Sequence, residues 1–108
     1  MKRIKMESNP ESITLQQAFE AFTRKCQLRN LAKDTILYYQ ESFKYLTTSI
    51  SSDSKASMLS ETILDNLVMN LKASMTDTSI NTRLREIRTF VNFCIELGYV
   101  KPMKPAFP

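Results

Sequence analysis

Residues 78–102 have the sequence TSINTRLREIRTFVNFCIELGYVKP, and this stretch decides the predicted fold. Its apolar side chains recur every three to four residues, as on one face of an α-helix. Gly98, the only glycine of the chain, follows the last apolar position and predicts a left-handed residue that ends the helix. We therefore predict one long amphipathic helix that packs on its own domain. Its apolar stripe comprises Ile80, Leu84, Ile87, Val91, Cys94 and Ile95.

A polar stripe runs beside the apolar one, about 100° round the predicted helix. It consists of Asn81, Arg85, Arg88 and Asn92, again at helical spacing. Arginine can pair with guanine or with phosphate and asparagine with adenine, so this stripe indicates a surface for nucleic acid. The alternative is structural: Arg85 and Arg88 pair with Glu86 or another acid, or are simply solvated.

Three further helices are predicted upstream. Thr14 and Gln17 have the spacing of a capping box, which opens a helix that ends near residues 27–30. Ser60 caps a third helix, and Asp77 or Thr78 is expected to cap the fourth.

The second helix is predicted from about Lys33 to Thr47. Its buried side is formed by Ile36, Tyr39, Phe43 and Leu46. The residues expected to face elsewhere are Thr35, Tyr38 and Ser42. Residues 48–58, TSISSDSKASM, show no periodicity and are predicted to form a mobile loop.

These elements predict an all-α fold, a compact four-helix bundle. The prolines lie at positions 10, 102, 105 and 108, which leaves the helical region without a helix breaker. We expect a flexible basic lead at residues 1–12, a helical domain at residues 13–101 and a linker at residues 102–108.

Composition argues against several functions. The chain has no histidine, glycine-rich phosphate loop, paired-carboxylate motif or nucleophile elbow, so we predict no catalytic residue and no cofactor. Cys26 and Cys94 are far apart and form no CxxC motif, so no metal site is expected. They are interpreted as buried free thiols, with a disulfide left open. No apolar run has membrane-spanning length and no signal peptide is evident, which favours a cytoplasmic protein with no membrane partner.

The net charge of +4 is unevenly distributed. Residues 1–30 have six Lys or Arg against three acids, and residues 78–108 have five against two. Residues 51–77 have two against four. Such asymmetry favours a polyanionic partner, although an ordinary lysine-rich surface would also explain it.

The strongest candidate chemistry is therefore DNA binding. Helix N-termini offer free N–H groups to phosphate, and two of them qualify: residues 33–35 and residues 78–79. Asn81, Thr82 and Arg85, in the first turns of the fourth helix, could then reach base edges in a groove.

At this point the motifs resemble a known family. Thr14-Leu15-x-x-Ala18-Phe19 is followed by Leu31-Ala-Lys-Asp-Thr35-x-x-x-Tyr39-x-x-x-Phe43-x-x-Leu46. Ser79-Ile80-Asn81-Thr82-Arg83-Leu84-x-x-Ile87-Arg88-x-Phe90-x-x-Phe93 then precedes Gly98-Tyr99-Val100. Their order resembles the N-terminal core-binding domain of tyrosine recombinases, the phage-integrase family, over residues 13–104. Ala32 stands where that family often has a capping serine, which leaves the start of the second helix open.

The resemblance implies a SAM-like four-helix domain that grips one face of double-stranded DNA at a recombination site. The catalytic groups of that family lie in a following domain, so it implies no enzymatic activity for this chain alone. It also implies a bacterial or phage-encoded protein, monomeric as an isolated domain and oligomeric on DNA at full length. The residues expected to contact DNA are Lys33, Thr35, Ser79, Asn81, Thr82, Arg85 and Arg88.

Two alternatives come from other functional classes. A stand-alone helical protein-interaction module is favoured by Tyr38, if exposed, and by the acidic third segment. A helix-turn-helix repressor is weaker, because the tight junction at residues 75–79 contains no glycine.

Overall fold

A computed structural model describes residues 12–103, which form a compact bundle of four α-helices without a β-strand. The helices are α1 (Leu15–Leu28), α2 (Lys33–Leu46), α3 (Glu61–Lys72) and α4 (Asp77–Glu96). The all-α prediction is confirmed. Residues 1–11 of the predicted lead and residues 104–108 of the predicted linker lie outside the described residues. Within the described range, no helix combines the length and apolar character needed to cross a lipid bilayer.

The first helix begins and ends where local sequence signals place it. The Thr14 hydroxyl accepts from the Gln17 N–H at 3.1 Å, and the Gln17 side chain accepts from the Thr14 N–H at 3.0 Å, which confirms the capping box. At the other end, Asn30 adopts a left-handed conformation with φ 60°. This lets the Leu31 N–H bond back to the Cys26 carbonyl at 3.1 Å and turns the chain directly into α2.

The fourth helix starts earlier than predicted. Its cap is Thr76, whose hydroxyl accepts from the Ser79 N–H at 3.4 Å, so the prediction of Asp77 or Thr78 as cap is wrong. The C-terminal prediction is confirmed: Gly98 has φ 79°. The Tyr99 N–H bonds to the Cys94 carbonyl at 2.9 Å and the Gly98 N–H to Ile95 at 3.1 Å, as in a Schellman motif.

The core is built around α4, which packs against all three other helices and most extensively against α2. An aromatic cluster joins α1, α2 and α4. Phe19 stacks on Phe43 at 4.1 Å between ring centroids. Phe90 meets Phe19, Phe22 and Phe43 edge-on at 5.4, 5.5 and 5.7 Å. Edge-to-face geometry suits aromatic quadrupoles, so the cluster stabilises this three-helix junction beyond its burial alone.

Aliphatic side chains fill the remainder of the core. On α3, Leu64 and Leu67 are fully buried, and Ile63 and Val68 flank them as partly buried neighbours. On α4, Val91 and Cys94 are fully buried.

The serine-rich segment 48–58 differs from the irregular mobile loop predicted for it. It contains a 3₁₀ turn, Ala56–Met58, and buries Ile50 and Ala56. Its backbone is also bonded to the start of α1. The Leu15 N–H donates to the Ser54 carbonyl at 2.8 Å, and the Ala56 N–H donates to the Ile13 carbonyl at 2.9 Å. The segment therefore closes one end of the bundle as ordered structure.

Candidate nucleic-acid interface

The polar stripe of α4 faces solvent as predicted. Arg85 and Arg88 are both exposed, and so are Asn81 and Asn92. Neither arginine has a carboxylate within 4.0 Å among residues 12–103, where both ion pairs involve Arg83 instead. The two guanidinium groups therefore present uncompensated positive charge along one face of the longest helix.

The reason lies in the neighbouring acid, Glu86, which points inward. Arg83 Nη1 lies 3.6 Å from Glu86 Oε1, and Arg83 Nη2 lies 2.7 Å from Glu41 Oε1 on α2. Ser42 Oγ on α2 donates to the same Glu86 oxygen and accepts from Arg83 Nη1 at 3.3 Å. Glu86 therefore pairs with Arg83, not with Arg85 or Arg88. In the described residues, therefore, Glu86 does not neutralise the exposed arginines.

The position of Ser42 was predicted wrongly from the sequence. It was expected to face away from the core with Thr35 and Tyr38, yet it is buried, with 1% of its surface exposed. A buried hydroxyl needs partners, and Glu86 and Arg83 supply both an acceptor and a donor. Arg83 was likewise missed as a structural residue. The Arg83–Glu86 spacing of three residues on one helix was the available signal.

The hydroxyl groups at the start of α4 already have local partners. Thr82 Oγ1 donates to the Thr78 carbonyl at 3.3 Å, and Ser79 Oγ lies 3.2 Å from Thr76 Oγ1. Both Ser79 and Thr82 are exposed, as predicted. Their hydroxyls can still accept or donate further bonds, but Asn81 is the polar group of this turn whose side chain extends into solvent without a hydrogen-bond partner in the described structure.

The start of α2 offers a different kind of donor. α2 begins at Lys33, and its N-cap, Ala32, makes no side-chain hydrogen bond to the first turn. In α1, α3 and α4 a threonine or serine hydroxyl caps the first turn. Lys33 is exposed and Thr35 is half-buried. The first N–H groups of α2 can therefore donate to an anion, with Lys33 and Asp34 in the same turn contributing opposite charges.

The predicted site residues do not gather in one pocket. They lie along a row on α2 and α4, which comprises Lys33, Thr35, Ser79, Asn81, Thr82, Arg85, Arg88 and Asn92. Glu41 and Ser42 of α2 pack beside Arg83 and Glu86 of α4. The start of α2 lies beside the second half of α4, where Leu31 and Tyr39 share a groove with Asn92 and Glu96.

α2 and α4 are thus antiparallel along this row. Lys33 and Thr35 lie toward the Asn92 end, and Ser79, Asn81 and Thr82 lie toward the other end. At 1.5 Å per residue, Ser79 and Asn92 are about 20 Å apart along the α4 axis. An elongated polyanion matches such a row better than a small ligand does.

The thiol groups show no sign of chemical activation. Both cysteines are free and buried, so the disulfide that the sequence left open is not formed. Burial raises the pKa of the Cys94 thiol to about 12. Burial also raises the pKa of Cys26, while Arg29 and Lys25 act in the opposite direction. Thiols with raised pKa values have little thiolate at neutral pH and are poor nucleophiles.

Comparison of the chain with protein-family models, with curated proteins and with solved structures found no match.

Proposed function

We propose that this chain is a DNA-binding domain, the core-binding domain of a site-specific tyrosine recombinase or integrase. It grips one face of the recombination-site duplex, and catalysis belongs to another domain. The observation that supports this most directly is the exposed, unpaired state of Arg85 and Arg88. Glu86, the acid between them in sequence, is held inward by Arg83 and Ser42, so two cations remain for an external anion.

In this proposal α4 and the start of α2 have different tasks. The exposed stripe of α4 lies along the major groove, where Asn81 and Arg85 reach base edges or phosphates. The start of α2 receives a backbone phosphate through its first N–H groups, Lys33 and Thr35. Phosphate contacts set the register of the domain and base contacts select the sequence.

A salt titration of duplex binding tests the proposal. Fluorescence anisotropy of a labelled duplex would give the association constant at several salt concentrations for the unmodified protein, Arg85→Ala and Arg88→Ala. For each phosphate contact that is lost, the slope of log K against log salt becomes shallower by about 0.9. If an arginine pairs with guanine instead, affinity falls by about 1–3 kcal/mol on some sequences and not on others.

Arg24→Ala is the matched control. Arg24 is an exposed arginine on α1, outside the row, and its loss changes the net charge by the same amount. Equal slopes for Arg85→Ala, Arg88→Ala and Arg24→Ala, together with equal affinities on every duplex sequence, would contradict the proposed interface. Duplex binding that does not respond to salt would contradict the proposed function itself.

A second candidate, a helical protein-interaction module, is favoured by one observation. Leu37 and Tyr38 are adjacent on α2 and are 56% and 55% exposed. They form an apolar patch on the exposed side of α2. Analytical ultracentrifugation distinguishes the two functions: concentration-dependent association that duplex DNA does not alter would favour the interaction module.

A further inference from the structure

A groove opens where α1 ends, α2 begins and α4 passes beneath them. It encloses about 310 Å³. Lys25 and Arg29 from the end of α1 line it, and so do Asn92 and Glu96 from α4. Phe22, Cys26, Leu31, Tyr39, Thr89 and Phe93 complete its lining.

The two cations of this groove have no acidic partner in the described structure. The Lys25 ammonium lies 5.4 Å from the centroid of the Phe93 ring, and Arg29 is exposed at the C-cap of α1. Glu96, which also lines the groove, forms no ion pair within 4.0 Å among residues 12–103. The helix dipole of α1 favours cations at this end, but it does not require them to line a groove. Arg24, which precedes Lys25 in the sequence, does not line the groove.

The groove is continuous with the row described above. Asn92 belongs to both, since it lines the groove and ends the polar stripe of α4. On the other side, the chain passes from Arg29 through left-handed Asn30 directly to Lys33 at the start of α2. A duplex lying along α4 and touching the start of α2 would therefore continue past Arg29.

We propose that Lys25 and Arg29 form a second phosphate-binding edge, which holds the sugar–phosphate backbone of the duplex beyond the α4 contact. This inference rests on the proposed function. The groove suits phosphate better than an aromatic side chain of a protein partner. Phe22 and Phe93 are only 4% and 7% exposed, whereas Lys25 and Arg29 are exposed cations. Glu96 opposes the same phosphate and lowers the affinity of this edge.

The first experiment compares two double variants in the salt titration. Lys25→Gln with Arg29→Gln removes both groove cations. Arg24→Gln with Lys72→Gln removes the same charge from exposed positions outside the groove. The groove variant should have a slope shallower than the control by about 0.9 for one shared phosphate, or about 1.8 for two phosphates. Glu96→Gln should bind the duplex more tightly than the unmodified protein.

The possible results separate the two proposals. One result would overturn the groove proposal alone. In that result the two double variants have equal slopes, while the slopes of Arg85→Ala and Arg88→Ala are still shallower than the slope of Arg24→Ala. Absence of salt-dependent binding by the unmodified protein would overturn the proposed function and the groove proposal with it. Circular dichroism of each variant checks that a change in slope does not reflect unfolding.

Nuclear magnetic resonance gives an independent test. On addition of duplex, the side-chain Nε–H signal of Arg29 should shift together with those of Arg85 and Arg88. Shifts at Arg85 and Arg88 with none at Arg29 would show that the duplex contacts α4 and not the groove, which contradicts the inference. A polyglutamate peptide that shifts the Arg29 signal when the duplex does not would show that the groove takes an acidic protein segment, which contradicts the inference.

Discussion

Replacing Arg83 with methionine should destabilise the domain, because Arg83 links α4 to α2 and also pairs with an acid of its own helix. It pairs with Glu41, it pairs with Glu86, and its guanidinium carbon lies 5.3 Å from the centroid of the Tyr45 ring. Methionine keeps most of the apolar length of the side chain and removes its charge. The change therefore tests the polar network and not simple packing.

The three contacts differ in weight because they differ in exposure. The Glu41 side chain is 57% exposed, so that pair contributes about 0.5 kcal/mol. The Glu86 side chain is 17% exposed, and without Arg83 it keeps only the Ser42 hydroxyl, a loss of about 1.5 kcal/mol. The ring contact with Tyr45 adds about 0.5 kcal/mol. We expect the free energy of unfolding to fall by about 2.5 kcal/mol, and Tm to fall by about 10 °C or more.

Urea unfolding followed by circular dichroism at 222 nm measures this change. The double variant Arg83→Met with Glu86→Gln should recover about 1 kcal/mol of the loss, because it no longer leaves a half-buried carboxylate without a cation. If Arg83→Met lowers the free energy of unfolding by less than about 0.5 kcal/mol, the pair of Arg83 with Glu86 is as weak as a solvent-screened ion pair. Failure of Glu86→Gln to recover stability would show that charge is not the reason, and the argument would fail.

Two further predictions concern the core. Phe90→Leu removes three edge-to-face ring contacts and should lower the free energy of unfolding by about 2 kcal/mol. The control Met69→Leu, at a residue 67% exposed, should change it by less than about 0.5 kcal/mol in the same urea titration. Similar losses in both variants would contradict the stabilising role of the aromatic cluster. Burial raises the pKa of Cys94 from 9.0 to about 12, so above pH 9 the unfolded chain releases a proton that the folded chain keeps. This thiol should therefore reduce stability by about 1.4 kcal/mol per pH unit between pH 9 and pH 12. The stability difference between the unmodified protein and Cys94→Ala should shrink over that range, and a constant difference would argue against a buried thiol.

Much of the helical fold was predictable because its signals are local. The caps at Thr14 and Ser60 and the stop at Gly98 each depend on residues within one turn of the helix end, and all three are confirmed. The cap of α4 was not predicted correctly. Thr76, Asp77 and Thr78 are three consecutive residues with side chains able to cap a helix, so the sequence alone does not choose among them.

The features that sequence did not predict depend on contacts between distant residues. Ser42 lies at the edge of the apolar stripe of α2, and its burial is explained only by Glu86 and Arg83, more than 40 residues later. The groove of Lys25 and Arg29 is made by three helices, so neither its existence nor the presence of Glu96 in its lining can be obtained from helical periodicity. The exposed stripe of α4 was predicted correctly, because one helix defines it alone.

The bonds between the serine-rich segment and α1 also constrain the order in which the domain can form during synthesis. The first two N–H groups of α1, on Leu15 and Gln16, have as acceptors the carbonyls of Ser54 and Ser52. A nascent chain that has emerged from the ribosome only as far as α2 lacks these acceptors, so these two N–H groups must bond to water. α1 can settle fully only after the whole α1–α2 hairpin and the serine-rich segment have emerged. The start of α1 therefore gains these two backbone bonds only after the serine-rich segment has been synthesised.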